Sequence, residues 1–211
     1  MANEKETRNL SYVFDKEEGE KIWFTSDTHF HHENIIHFCN RPFGSVEEMN
    51  TALIENWNKK VKPNDIVFHL GDFCWGGASK WCDILSRLNG KIVLAKGNHD
   101  EKNLADSVKM LFEKISYQYY IRIDGQPIYI NHYPFLCYGG QGRGVWQVYG
   151  HVHTLSSSNP AQRGKDAQRV AMAFPTQYDV GVDGNDYAPI SFAELREKIR
   201  AQIEMAKDSE K

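Results

Sequence analysis

Five times in this chain a short run of aliphatic and aromatic residues stops, and a carboxylate, imidazole or amide follows almost at once. Ile22-Trp23-Phe24 leads into Ser26-Asp27-Thr28-His29, and Ile66-Val67-Phe68 into Gly71-Asp72. Ile92-Val93-Leu94 leads into Gly97-Asn98-His99-Asp100, Ile128-Tyr129-Ile130 into His132, and Val148-Tyr149 into Gly150-His151-Val152-His153. Runs of this length and composition read as strands. In α/β folds ligands sit at the carboxyl ends of strands, where loops diverge, and stiff strand ends hold a ligand geometry tightly. Gly71, Gly97 and Gly150 each precede a candidate ligand, as a sharp turn or close backbone approach requires. Asp27-x-His29 and His151-x-His153 are expected to place both side chains on one face of an extended segment, since the strand period is two.

Helical stretches separate the strands. Ser45 with Glu48 predicts a capping box opening a helix with Met49, Leu53 and Trp57 on one side. Trp81 to Leu88 reads as a second helix. Ser191 with Glu194 caps a last one, along which Leu195, Ile199 and Ile203 recur every four residues. Tyr119 to Ile130, broken by Asp124-Gly125, reads as a β-hairpin. Early βαβ texture followed by hairpin texture predicts an α/β layered sandwich with a mixed sheet. The acidic stretch up to about residue 20 is expected to be a solvated lead-in, and residues 21–206 one domain. Ser156 to about Lys165 is expected to be a loop.

At 211 residues the chain suits one domain with at most a small cap. Twenty-five Lys and Arg against 28 Asp and Glu leave a net charge of −3, which argues against a long nucleic-acid track. It leaves room for a phosphate substrate, because bound cations supply positive charge. No apolar run approaches membrane-span length, and MANEKETRNL carries no signal-peptide core, so a cytoplasmic location is expected. Cys39, Cys74, Cys82 and Cys137 have neither C-x2-C nor C-x4-C spacing and are expected to be reduced thiols rather than a zinc knuckle.

The candidate ligands are Asp27, His29, Asp72, Asn98, His132, His151 and His153. Seven are too many for one tetrahedral ion and suffice for two ions sharing a bridging carboxylate. A set of carboxylates, imidazoles and one amide suits manganese first, with iron, zinc or nickel as alternatives.

Asp27-x-His29, Gly71-Asp72, Gly97-Asn98-His99-Asp100, His132 and Gly150-His151-Val152-His153 resemble, in order, the motif series of the calcineurin-like metallophosphoesterases. Thr28 to Ile36, Arg41-Pro42-Phe43, Val180-Gly181-Val182-Asp183 and Pro189 to Phe192 are similar to small bacterial and phage members. The resemblance implies a four-layer αββα sandwich of two mixed sheets flanked by helices. It implies that Asp27, His29 and His153 hold one divalent ion, that Asn98, His132 and His151 hold the other, and that Asp72 bridges them. His99 would lie beside the scissile phosphate, with Asp100 orienting it. The implied activity is hydrolysis of a small phosphodiester or nucleotide-type ester by metal-activated water. A non-catalytic protein-binding scaffold on the same fold is the alternative, against which the presence of His99 and Asp100 counts.

Arg41, Arg143 and His31 are candidates for substrate contact. For Arg41 the competing role is an ion pair near the Pro42 turn, and for Arg143 a solvated place in the glycine-rich 139–144 loop. His69, inside a strand run, is expected to be a satisfied core histidine.

Overall fold

The structure, a computed structural model, describes residues 11–102, 104–153 and 158–209. In chain order the elements are β1 (Tyr12–Phe14), α1 (Lys16–Gly19), β2 (Ile22–Thr25), α2 (Glu33–Phe38), α3 (Val46–Lys60), β3 (Ile66–His69), α4 (Ala78–Arg87), β4 (Lys91–Ala95) and α5 (Asp106–Lys109). They continue with β5 (Lys114–Ser116), β6 (Gln118–Ile123), β7 (Gln126–Asn131), β8 (Trp146–Tyr149), α6 (Pro160–Val170), β9 (Gln177–Asp179), β10 (Ile190–Ser191) and α7 (Phe192–Ser209).

Two mixed five-stranded sheets result, ordered β1-β6-β7-β8-β9 and β10-β2-β3-β4-β5. In the second, β2 to β5 run parallel and β10 closes antiparallel on β2. In the first, the β6–β7 hairpin is antiparallel, while β7, β8 and β9 run parallel. The hairpin turns at Asp124 and Gly125, with φ of 48° and 79°. Positive φ at both central residues matches the twist of the flanking strands.

The sheets pack face to face. Phe24, Phe68, Leu70 and Val93 of one meet Ile121, Ile123, Ile128, Ile130 and Val148 of the other. Period two then sends the alternate residues outward: Tyr120 and Tyr129 pair across the hairpin with ring centroids 4.5 Å apart. The other face of the β2–β5 sheet, through Val67, Ile92 and Leu94, is covered by Ile35 and Ile36 of α2, Met49, Leu53 and Trp57 of α3, Trp81 and Ile84 of α4, and Val108 of α5. Helix α7 adds Leu195 and Ile199 to the inter-sheet core. Its expected capping box is complete, with Ser191 Oγ accepting from Glu194 N–H and the Glu194 carboxylate accepting from Ser191 N–H. At α3 half of the box forms: Ser45 Oγ accepts from Glu48 N–H, but the Glu48 carboxylate reaches Gly44 N–H instead.

Two expectations are corrected. The solvated lead-in ends well before residue 20, because Tyr12–Phe14 pairs parallel with β6 and Phe14 enters the inter-sheet core. A three-residue strand between charged segments has little periodicity of its own, and its partner, more than a hundred residues away, creates it. The loop expected as far as Lys165 also stops early. Its first residues, Ser156 and Ser157, lie outside the described residues, but the chain is helical from Pro160. The Asn159 side chain accepts from Ala161 and Gln162 N–H, and Pro160 occupies the first helical turn, where a missing N–H costs nothing. Among the described residues no helix is long and apolar enough to cross a membrane.

Candidate metal centre

The carboxyl ends of β2, β3, β4, β7 and β8 deliver the polar residues that follow them to one rim of the sandwich. Asp27, His29 and His153 form one cluster whose ligand atoms lie within 4.8 Å of one another, and Asp72, His132 and His151 form a second. Asp72 Oδ2 joins them, 3.7 Å from His29 Nε2 and 3.5 Å from His132 Nε2. It also lies 3.9 Å from His99 Nε2. Asn98 Oδ1 is 3.1 Å from His132 Nε2, at the second cluster. The geometry thus brings together all seven candidate ligands, with His99 at their edge.

The local backbone explains the convergence differently from the strand-period expectation. Asp27, His29, Asp72, His151 and His153 all have positive φ, between 48° and 73°. Asp27-x-His29 and His151-x-His153 converge because each named residue sits in the left-handed region, not because the segment is extended. Asp and His tolerate that region better than most residues. It still costs on the order of 1–3 kcal/mol per residue, a cost characteristic of functional sites. Close approach of the loops does the rest. A Cβ at Gly97 would lie 2.2 Å from Asp72 Oδ1, and one at Gly150 would lie 2.2 Å from Asp27 Oδ2.

The buried charges lie close enough to shift one another. Burial pushes the Asp72 carboxyl up, but His132, His29 and the His99 N–H beside it hold it below the usual carboxylate range. Burial, with His153 nearby, keeps His29 well below the ordinary imidazole value. Burial also lowers His132, yet its bond to Asp72 and the Asp27 charge outweigh this and carry it up to about 9. Asp27 Oδ1 and His29 Nε2 are buried 4.0 Å apart, and neither has a hydrogen-bond partner among the described residues. Leaving a buried polar atom unpaired costs about 1–3 kcal/mol. A cation between them would satisfy both, so the donors fit a divalent ion.

Neighbouring groups fix the imidazoles. His132 Nδ1 lies 2.7 Å from the Leu70 carbonyl, which makes it the donor nitrogen and leaves Nε2 toward Asp72. His153 Nδ1 lies 2.7 Å from Asp183 Oδ2, leaving Nε2 3.7 Å from Asp27 Oδ1. Asp183 in turn accepts from Arg41 Nε at 2.8 Å and Nη2 at 2.9 Å. Carboxylates in this position select a histidine's tautomer and raise its basicity. The Cys39 thiol packs into the same corner, beside His153 and Asp183.

The remaining candidates stand elsewhere. Arg41 is buried, and besides Asp183 its guanidinium bonds the carbonyls of Thr28 and Asp27. It is the ion-pair partner of Asp183, with no donor turned toward a substrate. Arg143 precedes β8, beside Gly144, whose carbonyl accepts from Gln126 at the start of β7. Those are the amino ends of strands whose carboxyl ends carry His132 and His151, so Arg143 sits about 15 Å away at the opposite rim. His31 turns to α3, where Asn50 bonds both its N–H and its ring. His32 is the histidine that faces the centre, with Nδ1 3.4 Å from His29 Nδ1 and its ring stacked on Trp75. Asp100 is fully buried and accepts from three backbone N–H groups, those of Asp72, Phe73 and Gly97. These bonds tie the Asp72 turn to the Gly97 loop, a different task from orienting the His99 ring. His69 is the buried core histidine expected, hydrogen-bonded to Thr28 and Gly71.

Sequence reasoning assigned no role to Asp183, nor to Tyr133, whose hydroxyl donates to Asn98 Oδ1 at 3.3 Å. For Asp183 the one available signal was its place just after an apolar run, Val180-Gly181-Val182, like the other ligand candidates.

The profile of the calcineurin-like phosphoesterases matches residues 20–184. An uncharacterized protein of Methanocaldococcus jannaschii is 42% identical over 135 residues, 63% of this chain and 69% of that protein. The gene 66 protein of Mycobacterium phage D29 is 24% identical over 205 residues, 84% of this chain and 95% of that protein. Among solved structures, a protein of unknown function from Aquifex aeolicus matches with a TM-score of 0.60 at 29% identity, over 83% of this chain and 97% of that one. With its profile match running from β2 to the turn that holds Asp183, the chain belongs to the calcineurin-like phosphoesterase family.

Proposed function

We propose that the protein is a hydrolase of small phosphate esters, either phosphodiesters or nucleotide-type esters, that works with two divalent ions, manganese first. The observation that carries this reading is Asp72 Oδ2, set within 3.9 Å of three imidazole nitrogens from three separate loops. Two of those nitrogens belong to the two ligand clusters and the third, on His99, to neither.

Asp27, His29 and His153 would hold one ion, and Asn98, His132 and His151 the other, with Asp72 shared. Bound there, the ions supply charge neutralisation at phosphate oxygens and acidify water. The chain's own residues do the rest. His99 is held by its N–H, which donates to Asp72 Oδ1 at 3.0 Å, and its ring is 41% exposed at the mouth. An imidazole there would protonate a leaving oxygen, a general-acid role typically worth 10²–10⁴-fold. Asp100 keeps the Asp72 and Gly97 loops in register, and Arg41 with Asp183 keeps His153 aimed at Asp27.

The test is a paired assay. Protein stripped of metal and reloaded with Mn²⁺ is offered bis-p-nitrophenyl phosphate and p-nitrophenyl phosphate, with Asp72→Asn as control. Hydrolysis by the wild type that the control loses supports the reading, and the preferred ester separates diesterase from monoesterase. Two bound ions with no hydrolysis of either ester, or of nucleotide esters, would overturn it.

A further inference from the structure

We propose that Trp75, backed by His32, is a stacking platform for the nucleobase of a nucleotide-type phosphoester, with the phosphate directed toward His99 and Asp72. This rests on the phosphoesterase reading and names the substrate class for its site.

Trp75 departs from the other tryptophans. Trp57, Trp81 and Trp146 are each at most 6% exposed and Trp23 is partly buried, whereas Trp75 is 40% exposed. An indole is the side chain with most to gain from burial, so leaving one in water beside a polar site calls for a ligand. The ring is also held in place. Trp75 N–H donates to the Phe30 carbonyl at 2.7 Å, next to a β-bridge between Phe30 and Cys74. The indole lies parallel on His32, with centroids 4.3 Å apart and planes 10° apart, and the edge of Phe38 closes on His32. His32 thus covers one face of the indole, and a planar ligand would stack on the other. A platform braced in this way loses little conformational freedom when a planar ligand lands on it.

Its position selects the ligand. The Trp75 ring is 5.3 Å from the His99 ring, and His99 Nε2 is 3.9 Å from Asp72 Oδ2. A planar group on Trp75 therefore sits one short linker away from an anion at the centre. A nucleotide has that layout, with base and phosphate joined by a sugar. Every base has a π-face, so stacking of this kind tolerates base identity. The net charge of −3 favours a small nucleotide over a long polymer.

Isothermal titration of the manganese-loaded protein compares AMP with ribose 5-phosphate, which shares the phosphate and sugar and lacks the base. Trp75→Ala is expected to weaken AMP about 5- to 150-fold, the range of one base–aromatic stack, and to leave ribose 5-phosphate unchanged. Trp75→Phe is expected to recover most of the loss, and an unchanged melting temperature shows that the variants are folded. Equal affinity for the two ligands, or an equal loss of both in Trp75→Ala, overturns the platform. The p-nitrophenyl assay separates the two ideas. Ester hydrolysis without AMP preference discards the platform and keeps the phosphoesterase, while Trp75-dependent AMP preference without hydrolysis does the reverse.

Discussion

Replacing Arg41 with alanine removes a guanidinium that makes two hydrogen bonds to Asp183, at 2.8 and 2.9 Å, and two to the carbonyls of Thr28 and Asp27, at 2.9 and 2.7 Å. Both side chains of the ion pair are at 0% exposure. The discount for solvent screening that applies to surface pairs is therefore absent. Breaking a buried pair from one side costs about 3–5 kcal/mol, here because the buried Asp183 carboxylate keeps only the His153 imidazole as a partner. For a protein of this size that lowers Tm by about 6–20 °C. Arg41→Lys keeps the charge but loses the two-pronged bond, and should fall between wild type and alanine. Arg41→Ala combined with Asp183→Ala should cost less than the sum of the single changes, since the second removal abolishes the buried carboxylate that has lost its guanidinium. The assay is urea unfolding of metal-stripped protein for all four members of the cycle. A metal titration accompanies it, in which Asp183→Asn should lose about 10–100-fold in affinity as His153 loses its fixed tautomer. A loss below about 1 kcal/mol for Arg41→Ala, the size of an exposed pair, or strict additivity in the double variant, would refute the reasoning.

His99→Ala should keep both ions by elemental analysis and lose about 10²–10⁴ in kcat; loss of metal would instead make His99 a ligand. Gly150→Ala places a Cβ 2.1 Å from Ser26 Oγ and 2.2 Å from Asp27 Oδ2, so calorimetry should show about 1–3 kcal/mol of destabilisation and metal analysis a loss at the Asp27 cluster. His132, raised to about 9, carries a proton at pH 7 in the metal-free protein. An ion must displace that proton, so metal affinity should rise with pH until about 9. Titration in two buffers of different ionisation enthalpy should show net proton release at pH 7, and none would contradict the assignment.

The parts of this protein that were legible in advance are those decided within a few residues. Ile22-Trp23-Phe24, Ile66-Val67-Phe68 and Ile92-Val93-Leu94 are apolar runs too short for helices, and each is a strand of the parallel sheet. Met49, Leu53 and Trp57 mark the buried face of α3 by spacing alone. The candidate ligands were legible because each follows a strand at once, so the fold can carry it nowhere but the rim. Arg143 shows the limit of that logic. It lies between His132 and His151 in the chain, yet β8 must be crossed to go from one to the other, and the loop before β8 belongs to the far rim. His31 and His32 are neighbours with the same side chain. The left-handed turn at His31, φ 61°, sends one toward Asn50 and the other toward His29.

The sequence by itself determined the chemistry on offer: an ordered set of carboxylates and imidazoles at strand ends, with an apolar pattern that demands sheets and covering helices. Tertiary structure decided the pairings. Arg41 and Asp183 are 142 residues apart and meet because β2 and the turn after β9 share the rim. Tyr12–Phe14 becomes a strand only because β6 offers an edge. Asp100 serves backbone N–H groups rather than a side chain because the Asp72 and Gly97 turns press together over it. Such contacts depend on which distant segments the core brings together, and local propensity holds no information about that.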